Sequence, residues 1–154
     1  MFQKIFYLVR HAEKQDPADP DTPISAIGRD RAEALKNTLI NRNINHIIVS
    51  QYLRTKQTAM PLSVAIHINE TEIALDSNHV NANVALVKTS LNQFNNSLVV
   101  GHTDNIPAII KSITGKIVSI PSDDFDNLFI ITINDCFFYK KIRLTKTTYG
   151  RHSP

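Results

Sequence analysis

The chain has 154 residues, of which 42% are hydrophobic and 20% are charged. These values predict one globular domain, 1–154, with a core of useful size. The net charge of +3 is small and no stacking aromatics interleave with it, so we expect no nucleic-acid partner but mild steering of anionic substrates. The first apolar run is too short for a signal sequence and no later run could span a bilayer, so we expect a cytoplasmic protein without membrane contact.

The first predicted element is a short apolar run, 5–9, that ends at Arg10 and His11. Its aromatic and β-branched residues favour a strand buried on both faces, because five residues are too few for a core helix. Such strands belong to parallel sheets covered by helices, where ligands bind beyond the carboxyl ends of the strands. Arg10 offers a donor fork that fits phosphate or carboxylate, and His11 offers a nucleophile or a proton carrier.

Residues 14–24 contain three prolines and three aspartates, which predicts a loop. It leaves the expected site, so Lys14 and the aspartates either line the mouth of a pocket or form a solvated connection. Ser25 is expected to cap the helix that follows, because Ala32 and Leu35 fall on one face of a helical pattern.

Two further apolar runs, 46–50 and 97–100, have the same buried-strand pattern. Arg54 lies just after the first of them, at the start of a predicted helix over 53–66. A cation there opposes the helix dipole, and a bound anion would resolve that conflict. His102 follows the other run. If the strands are parallel, these residues converge with Arg10 and His11 on one sheet edge and form an anion pocket that contains a nucleophile.

The remaining elements are less distinct. Pro61 should kink or interrupt the helix over 53–66. Residues 72–75 form a short apolar piece, 81–91 and 104–114 are predicted helices, and Gly115 should end the second of these. Strands are predicted within 117–143, with 128–133 and 136–142 joined by a turn at Asn134 and Asp135.

The only cysteine, Cys136, is a predicted core residue. The tail after Thr145 should fray, and His67 and His79 should be exposed.

A family resemblance rests on three motifs, Arg10-His11-Ala12-Glu13, Arg54-Thr55 with Thr58-Ala59, and Gly101-His102. They resemble the histidine phosphatase superfamily, which includes the phosphoglycerate mutases, and its short bacterial-type members in particular. The segment 21–25 leading to Gly28 is similar to the family's stretch before its first helix. The resemblance implies an α/β fold, a three-layer α/β/α sandwich with a mostly parallel central sheet and an antiparallel edge strand.

The same resemblance implies a phosphomonoester hydrolase that needs no metal and no cofactor. His11 would be the nucleophile and would form a phosphohistidine intermediate. Arg10, Arg54 and His102 would bind the phosphoryl group, with Thr103 and Glu13 as further substrate-binding residues. The two guanidinium groups should lower the pKa of His11 and keep it neutral.

The proton donor for the leaving group is expected to be Asp76 or Asp104, with Glu13 ranked behind them, or the site has no such acid. Asp104 could instead cap its own helix. Three alternative functions stay open: a phosphohistidine protein phosphatase, a mutase-like phosphotransferase, and a non-catalytic anion-binding module. Only 47 residues separate Arg54 from His102, which leaves no room for the substrate-closing insertion of true mutases. The expected partner is a small phosphorylated substrate or a phosphoprotein, and the sequence specifies no oligomeric state.

Overall fold

The computed structural model describes residues 2–76 and 80–154, and these form one six-stranded sheet and four helices. The strands are β1 (Phe2–Arg10), β2 (His46–Val49), β3 (Glu70–Glu72), β4 (Asn96–Gly101), β5 (Asn127–Cys136) and β6 (Tyr139–Thr148). The helices are α1 (Ala26–Leu39), α2 (Leu53–Ile66), α3 (Val80–Leu91) and α4 (Asn105–Thr114). In the described part of the chain, none of the helices has the length and apolarity to cross a membrane.

The sheet has the strand order β3-β2-β4-β1-β5-β6. The first four strands of that order are parallel, whereas β5 is antiparallel to β1 and β6 is antiparallel to β5. The predicted mostly parallel sheet with an antiparallel edge is therefore confirmed. Because β1, β2 and β4 run the same way, their carboxyl ends meet at one edge of the sheet.

Helices cover both faces of the sheet, as the apolar runs of β1 and β4 predict. On one face, Leu35 of α1 and Leu62 of α2 pack with Val9 and Val100. On the other face, α3 and α4 pack with alternate residues of the same strands, and the buried side chains there include Leu8, Val87, Val99 and Ile109. The result is the predicted three-layer α/β/α sandwich.

The helix ends agree with the sequence. The hydroxyl of Ser25 accepts a 3.0 Å hydrogen bond from the backbone N–H of Gly28, and α4 ends at Gly115 with a φ of +75°. Helix α2, however, is not interrupted at Pro61. The buried side chains of Ala59 and Leu62 lie on either side of the proline, and their packing keeps both halves in one helix. His67 is exposed as predicted, and His79 lies outside the described residues.

The predicted turn at Asn134 and Asp135 is wrong, because β5 continues through both residues and the chain turns at Phe137–Phe138. Strand β1 extends far enough to pair Phe2 with Asp135. Backbone pairing on both sides therefore holds this polar stretch in the sheet.

Three smaller expectations also change. Cys136 is only half-buried, since it adjoins the exposed turn rather than the core. Strand β3 covers Glu70–Glu72, before the apolar piece at 72–75. The C-terminal tail does not fray after Thr145, because pairing with β5 continues to Thr148 and the Tyr149 side chain is buried.

Candidate active site

The structure brings together the four residues that the sequence places after three buried strands. Arg10 ends β1 and is followed by His11, His102 follows β4, and Arg54 is the second residue of α2. All four line one cleft of about 370 Å³ at the carboxyl edge of the sheet, and the rings of the two histidines lie 5.3 Å apart between centroids. The cleft is completed by Lys14, Tyr52, Leu75, Thr103 and Asp104.

His11 is held in one tautomer. Its Nδ1 atom lies 2.8 Å from the carbonyl oxygen of Ala12, and a carbonyl can only accept, so Nδ1 carries the hydrogen. Burial, more than the charges of the neighbouring His102, Arg10 and Arg54, lowers the pKa of His11 to about 3. The expected lowering is present, but removal from water is its main cause, not the two guanidinium groups. His11 is therefore neutral near pH 7 and keeps a lone pair on Nε2.

Arg10 is fixed by a loop from the far end of the chain. Its Nη1 atom donates to the carbonyl oxygens of Ser122 at 2.8 Å and Asp124 at 3.0 Å. The guanidinium carbon lies 3.9 Å from the ring centroid of Phe125, a stacking distance for a cation on an aromatic face. Neither contact was predicted, because no local sequence pattern links residue 10 to this loop.

Arg54 is held in a similar way on the other side of the cleft. Its Nη1 atom donates to the carbonyl oxygen of Pro20 at 2.9 Å, and its guanidinium carbon lies 4.3 Å from the ring centroid of Tyr52. The Nε atoms of Arg54 and Arg10 are both buried and have no hydrogen-bond partner among the described residues. Two buried cationic donors without acceptors are the arrangement expected where an anion binds.

A hydroxyl pair orients His102. Its Nε2 atom lies 2.8 Å from Oγ of Ser50, which lies 3.0 Å from Oγ1 of Thr55. The backbone N–H of His102 donates to Oδ1 of Asn105 at 2.7 Å. Burial, followed by the charge of Arg54, lowers the pKa of His102 to about 4. Ser50 was not predicted as a site residue, although its place at the end of the second apolar run could have indicated it.

The acidic candidates occupy different environments. Asp104 lines the cleft and also caps α4, since its carboxylate accepts a 2.7 Å hydrogen bond from the backbone N–H of Asn105. Asp76 is exposed and follows Leu75, which lines the cleft. Glu13 instead binds Arg31 through contacts of 2.8–2.9 Å, so its carboxylate anchors the segment after His11 to α1.

Comparisons with known proteins give matches to the sequence of one part of the chain and to its fold. The sequence pattern of the histidine phosphatase superfamily (branch 1) matches residues 6–78, just under half of the chain and including Arg10, His11 and Arg54. No curated protein matches the chain by sequence.

Several solved structures share the fold. The protein histidine phosphatase SixA complexed with tungstate has a TM-score of 0.71 at 17% identity, covering 94% of this chain and 96% of its own. A mycobacterial glucosyl-3-phosphoglycerate phosphatase has a TM-score of 0.69 at 14% identity, covering 92% and 97%. Mycobacterial hydrolase 2 has a TM-score of 0.70 at 13% identity, covering 100% and 93%. The chain therefore shares the fold of these proteins and, over residues 6–78, matches the histidine phosphatase superfamily.

Proposed function

We propose that this protein hydrolyses phosphomonoesters through a phosphohistidine formed on Nε2 of His11. The observation that carries the proposal is the pair of buried Nε donors on Arg10 and Arg54. They have no acceptor among the described residues, and they lie beside a neutral histidine. A phosphoryl group supplies the missing acceptor oxygens, and its phosphorus would then lie within reach of the free lone pair.

In the first step, Nε2 of His11 attacks phosphorus and the bond from phosphorus to the ester oxygen breaks. The bonding electrons leave with that oxygen, which takes a proton from the carboxyl group of Asp104 or Asp76, or from water. Arg10 and Arg54 offset the charge on the equatorial oxygens in the transition state. The Nδ1–H bond to the Ala12 carbonyl keeps the imidazole oriented while it becomes phosphorylated.

In the second step, water attacks phosphorus and returns a proton to the group that gave one up in the first step, while the P–N bond breaks and its electron pair returns to Nε2. Inorganic phosphate leaves, and one water has been consumed for each ester. The steps balance without a metal ion or cofactor. Within residues 2–76 and 80–154, no three His, Cys, Asp or Glu side chains are grouped so that they could hold a metal.

A phosphohistidine protein is the second candidate substrate. Asp104 is the one carboxylate among the described residues that line the cleft, and its carboxylate is already engaged in capping α4. An imidazole leaving group needs less help from an acid than an alkoxide does, which favours phosphohistidine over alkyl phosphates. The likeness to a protein histidine phosphatase supports the same substrate class.

The deciding experiment measures turnover of p-nitrophenyl phosphate in EDTA by the wild type and by His11→Asn. We expect turnover by the wild type, together with a base-stable, acid-labile phosphoenzyme, and neither in the variant. Equal turnover by the two proteins would assign the nucleophile elsewhere. If the wild type binds phosphate but shows no turnover of any substrate, the protein is a non-catalytic anion-binding module.

A panel then separates the substrate classes. Phosphorylated small molecules and a phosphohistidine protein are compared by kcat/KM under the same conditions. Transfer of the phosphoryl group to a second metabolite, rather than to water, would indicate the mutase-like alternative. We propose a cytoplasmic location for this activity, as expected from the lengths of the apolar runs.

A further inference from the structure

Phe125 contacts both functional residues at the end of β1. Its ring centroid lies 3.9 Å from the guanidinium carbon of Arg10 and 6.3 Å from the ring centroid of His11, at an interplanar angle of 61°. We propose that Phe125 is a positioning residue that holds Arg10 for phosphate and shields one edge of His11 from water. The proposal rests on the proposed function, since it assigns Phe125 a role in the same site.

The loop that carries Phe125 also holds the edge of the Arg10 guanidinium. Carbonyl oxygens of Ser122 and Asp124 accept from Nη1, while the ring of Phe125 covers the face of the group. One edge and one face of the Arg10 guanidinium are therefore fixed. Its buried Nε atom has no hydrogen-bond partner among the described residues. The fixed fork thus presents a preorganised donor to an oxyanion, at little entropic cost on binding.

The C-terminal segment 149–153, which we call the strap, fastens this loop. The hydroxyl of Ser153 accepts a 2.8 Å hydrogen bond from the backbone N–H of Phe125. The backbone N–H of Ser153 donates to the Asp126 carboxylate at 3.1 Å, and the backbone N–H of Tyr149 donates to the Asp126 carbonyl at 3.0 Å. These three hydrogen bonds to Phe125 and Asp126 fix the loop segment that carries the Phe125 ring.

The strap is also tied to the other side of the site. Nη2 of Arg31 donates to the carbonyl oxygen of Arg151 at 2.8 Å and to the carboxylate of Glu13 at the same distance. Contacts thus run from Glu13 through Arg31 and the strap to Phe125, and from there to Arg10. Since Glu13 lies three residues after Arg10, the network closes around the catalytic segment.

Two measurable consequences follow from removal of the ring. The guanidinium of Arg10 gains freedom, so oxyanion binding should weaken. Water reaches the exposed edge of His11, so the pKa of that imidazole should rise toward its ordinary value. A purely structural role for Phe125 would lower stability and leave both properties unchanged.

The experiment compares Phe125→Leu and Phe125→Tyr with the wild type, using inorganic phosphate as the probe. Leucine keeps much of the apolar volume but loses the stacking face, so we expect phosphate to bind about tenfold more weakly. The NMR titration of His11 should shift upward in the same variant. Tyrosine retains the aromatic face, so Phe125→Tyr should have the phosphate affinity and the His11 titration of the wild type.

Phe94 offers a matched control, because it is also half-buried and its ring stacks on an imidazole. The ring centroids of Phe94 and His46 lie 3.9 Å apart. We expect Phe94→Leu to lower stability without changing phosphate affinity or the titration of His11. Ser153→Ala should reproduce part of the Phe125→Leu effect, whereas Ser153→Thr keeps the hydroxyl and should not.

The outcomes separate this inference from the function on which it rests. If Phe125→Leu binds phosphate as tightly as the wild type and His11 titrates unchanged, Phe125 does not position the site, although the phosphatase proposal stands. If the wild type neither binds phosphate nor forms a phosphoenzyme, both proposals fail together.

Discussion

The carboxylate of Asp21 accepts a 2.8 Å hydrogen bond from the backbone N–H of Leu53, the first residue of α2. Among the described residues, the side chain at the usual capping position, Tyr52, makes no capping hydrogen bond to α2. A residue 32 positions earlier in the chain therefore caps this helix. The negative charge of Asp21 also offsets the unfavourable placement of the cationic Arg54 at the positive end of the helix dipole. A bound anion is therefore not the only group that can compensate for this placement.

Asp21→Ala should lower the free energy of unfolding by about 1 kcal/mol, the usual effect of losing a helix cap. It should also raise KM, because the same loop holds Nη1 of Arg54 through the carbonyl oxygen of Pro20. Urea unfolding and steady-state kinetics measure the two effects. Asp30→Ala removes an exposed carboxylate from α1 and serves as the control. Equal losses in both variants would mean that charge, not capping, is responsible.

Arg54→Ala should reduce kcat/KM for p-nitrophenyl phosphate by about 10²-fold or more, because a cation aimed at the transition-state charge is lost. Arg54→Lys keeps a charge but lacks the planar fork and the Nε donor, so it should recover only part of the rate. Arg29→Ala, at an exposed position of α1, is expected to behave as the wild type. A full rate in Arg54→Ala would remove this residue from the phosphate site.

Asp104→Asn tests the proton donor. Asparagine caps helices about as well as aspartate, so α4 should stay intact while the acid is lost. If Asp104 is the donor, turnover of glycerol phosphate should fall by about 10²-fold while p-nitrophenyl phosphate, whose leaving group needs no proton, is spared. Asp76→Asn is measured beside it. Equal effects on the two substrates, or none, would exclude both residues and favour a phosphohistidine substrate.

The buried imidazole of His11 leads to a prediction on acid stability. Its pKa is about 3 in the folded protein and 6.5 ordinarily. Between these values the unfolded chain binds a proton that the folded protein does not, so the free energy of unfolding should fall as the pH is lowered through this window. His11→Asn should make the fall shallower, with His102 still contributing down to its pKa of about 4.

Urea unfolding of the wild type and His11→Asn at several pH values measures this slope. His67→Asn, at an exposed histidine on the C-terminal end of α2, is the control and should leave the slope unchanged. Parallel curves for the wild type and His11→Asn would show that His11 is protonated alike in both states.

The converging residues could be predicted because the signal for each is local. A buried apolar run predicts a strand, and Arg10, His11 and His102 each lie within two residues of the end of such a run. Contacts between residues that are far apart in the sequence leave no such local pattern. The ion pair of Glu13 with Arg31 and the stacking of Phe125 on Arg10 depend on packing that no short pattern encodes.

The misplaced hairpin turn has a similar origin. Asn134 and Asp135 have the composition of a turn, whereas Phe137 and Phe138 have the composition of a strand. Pairing with β1 decides between them, because Gln3 and Phe2 pair with Asn134 and Asp135 and keep the polar pair in β5. The side chains of Gln3 and Asn134 add a hydrogen bond of 2.8 Å. Local preference is overridden here by the neighbouring strand.

The central place of β1 has a consequence for synthesis on the ribosome. Tyr7 pairs with Leu98 of β4 and with Ile130 of β5, so both neighbours of this strand are translated long after it. At the usual rates of elongation, roughly five to twenty seconds pass before even β4 has emerged. Throughout that interval the apolar segment 5–9 has neither of its strand partners, and unpaired apolar strands of this kind are prone to aggregate during synthesis.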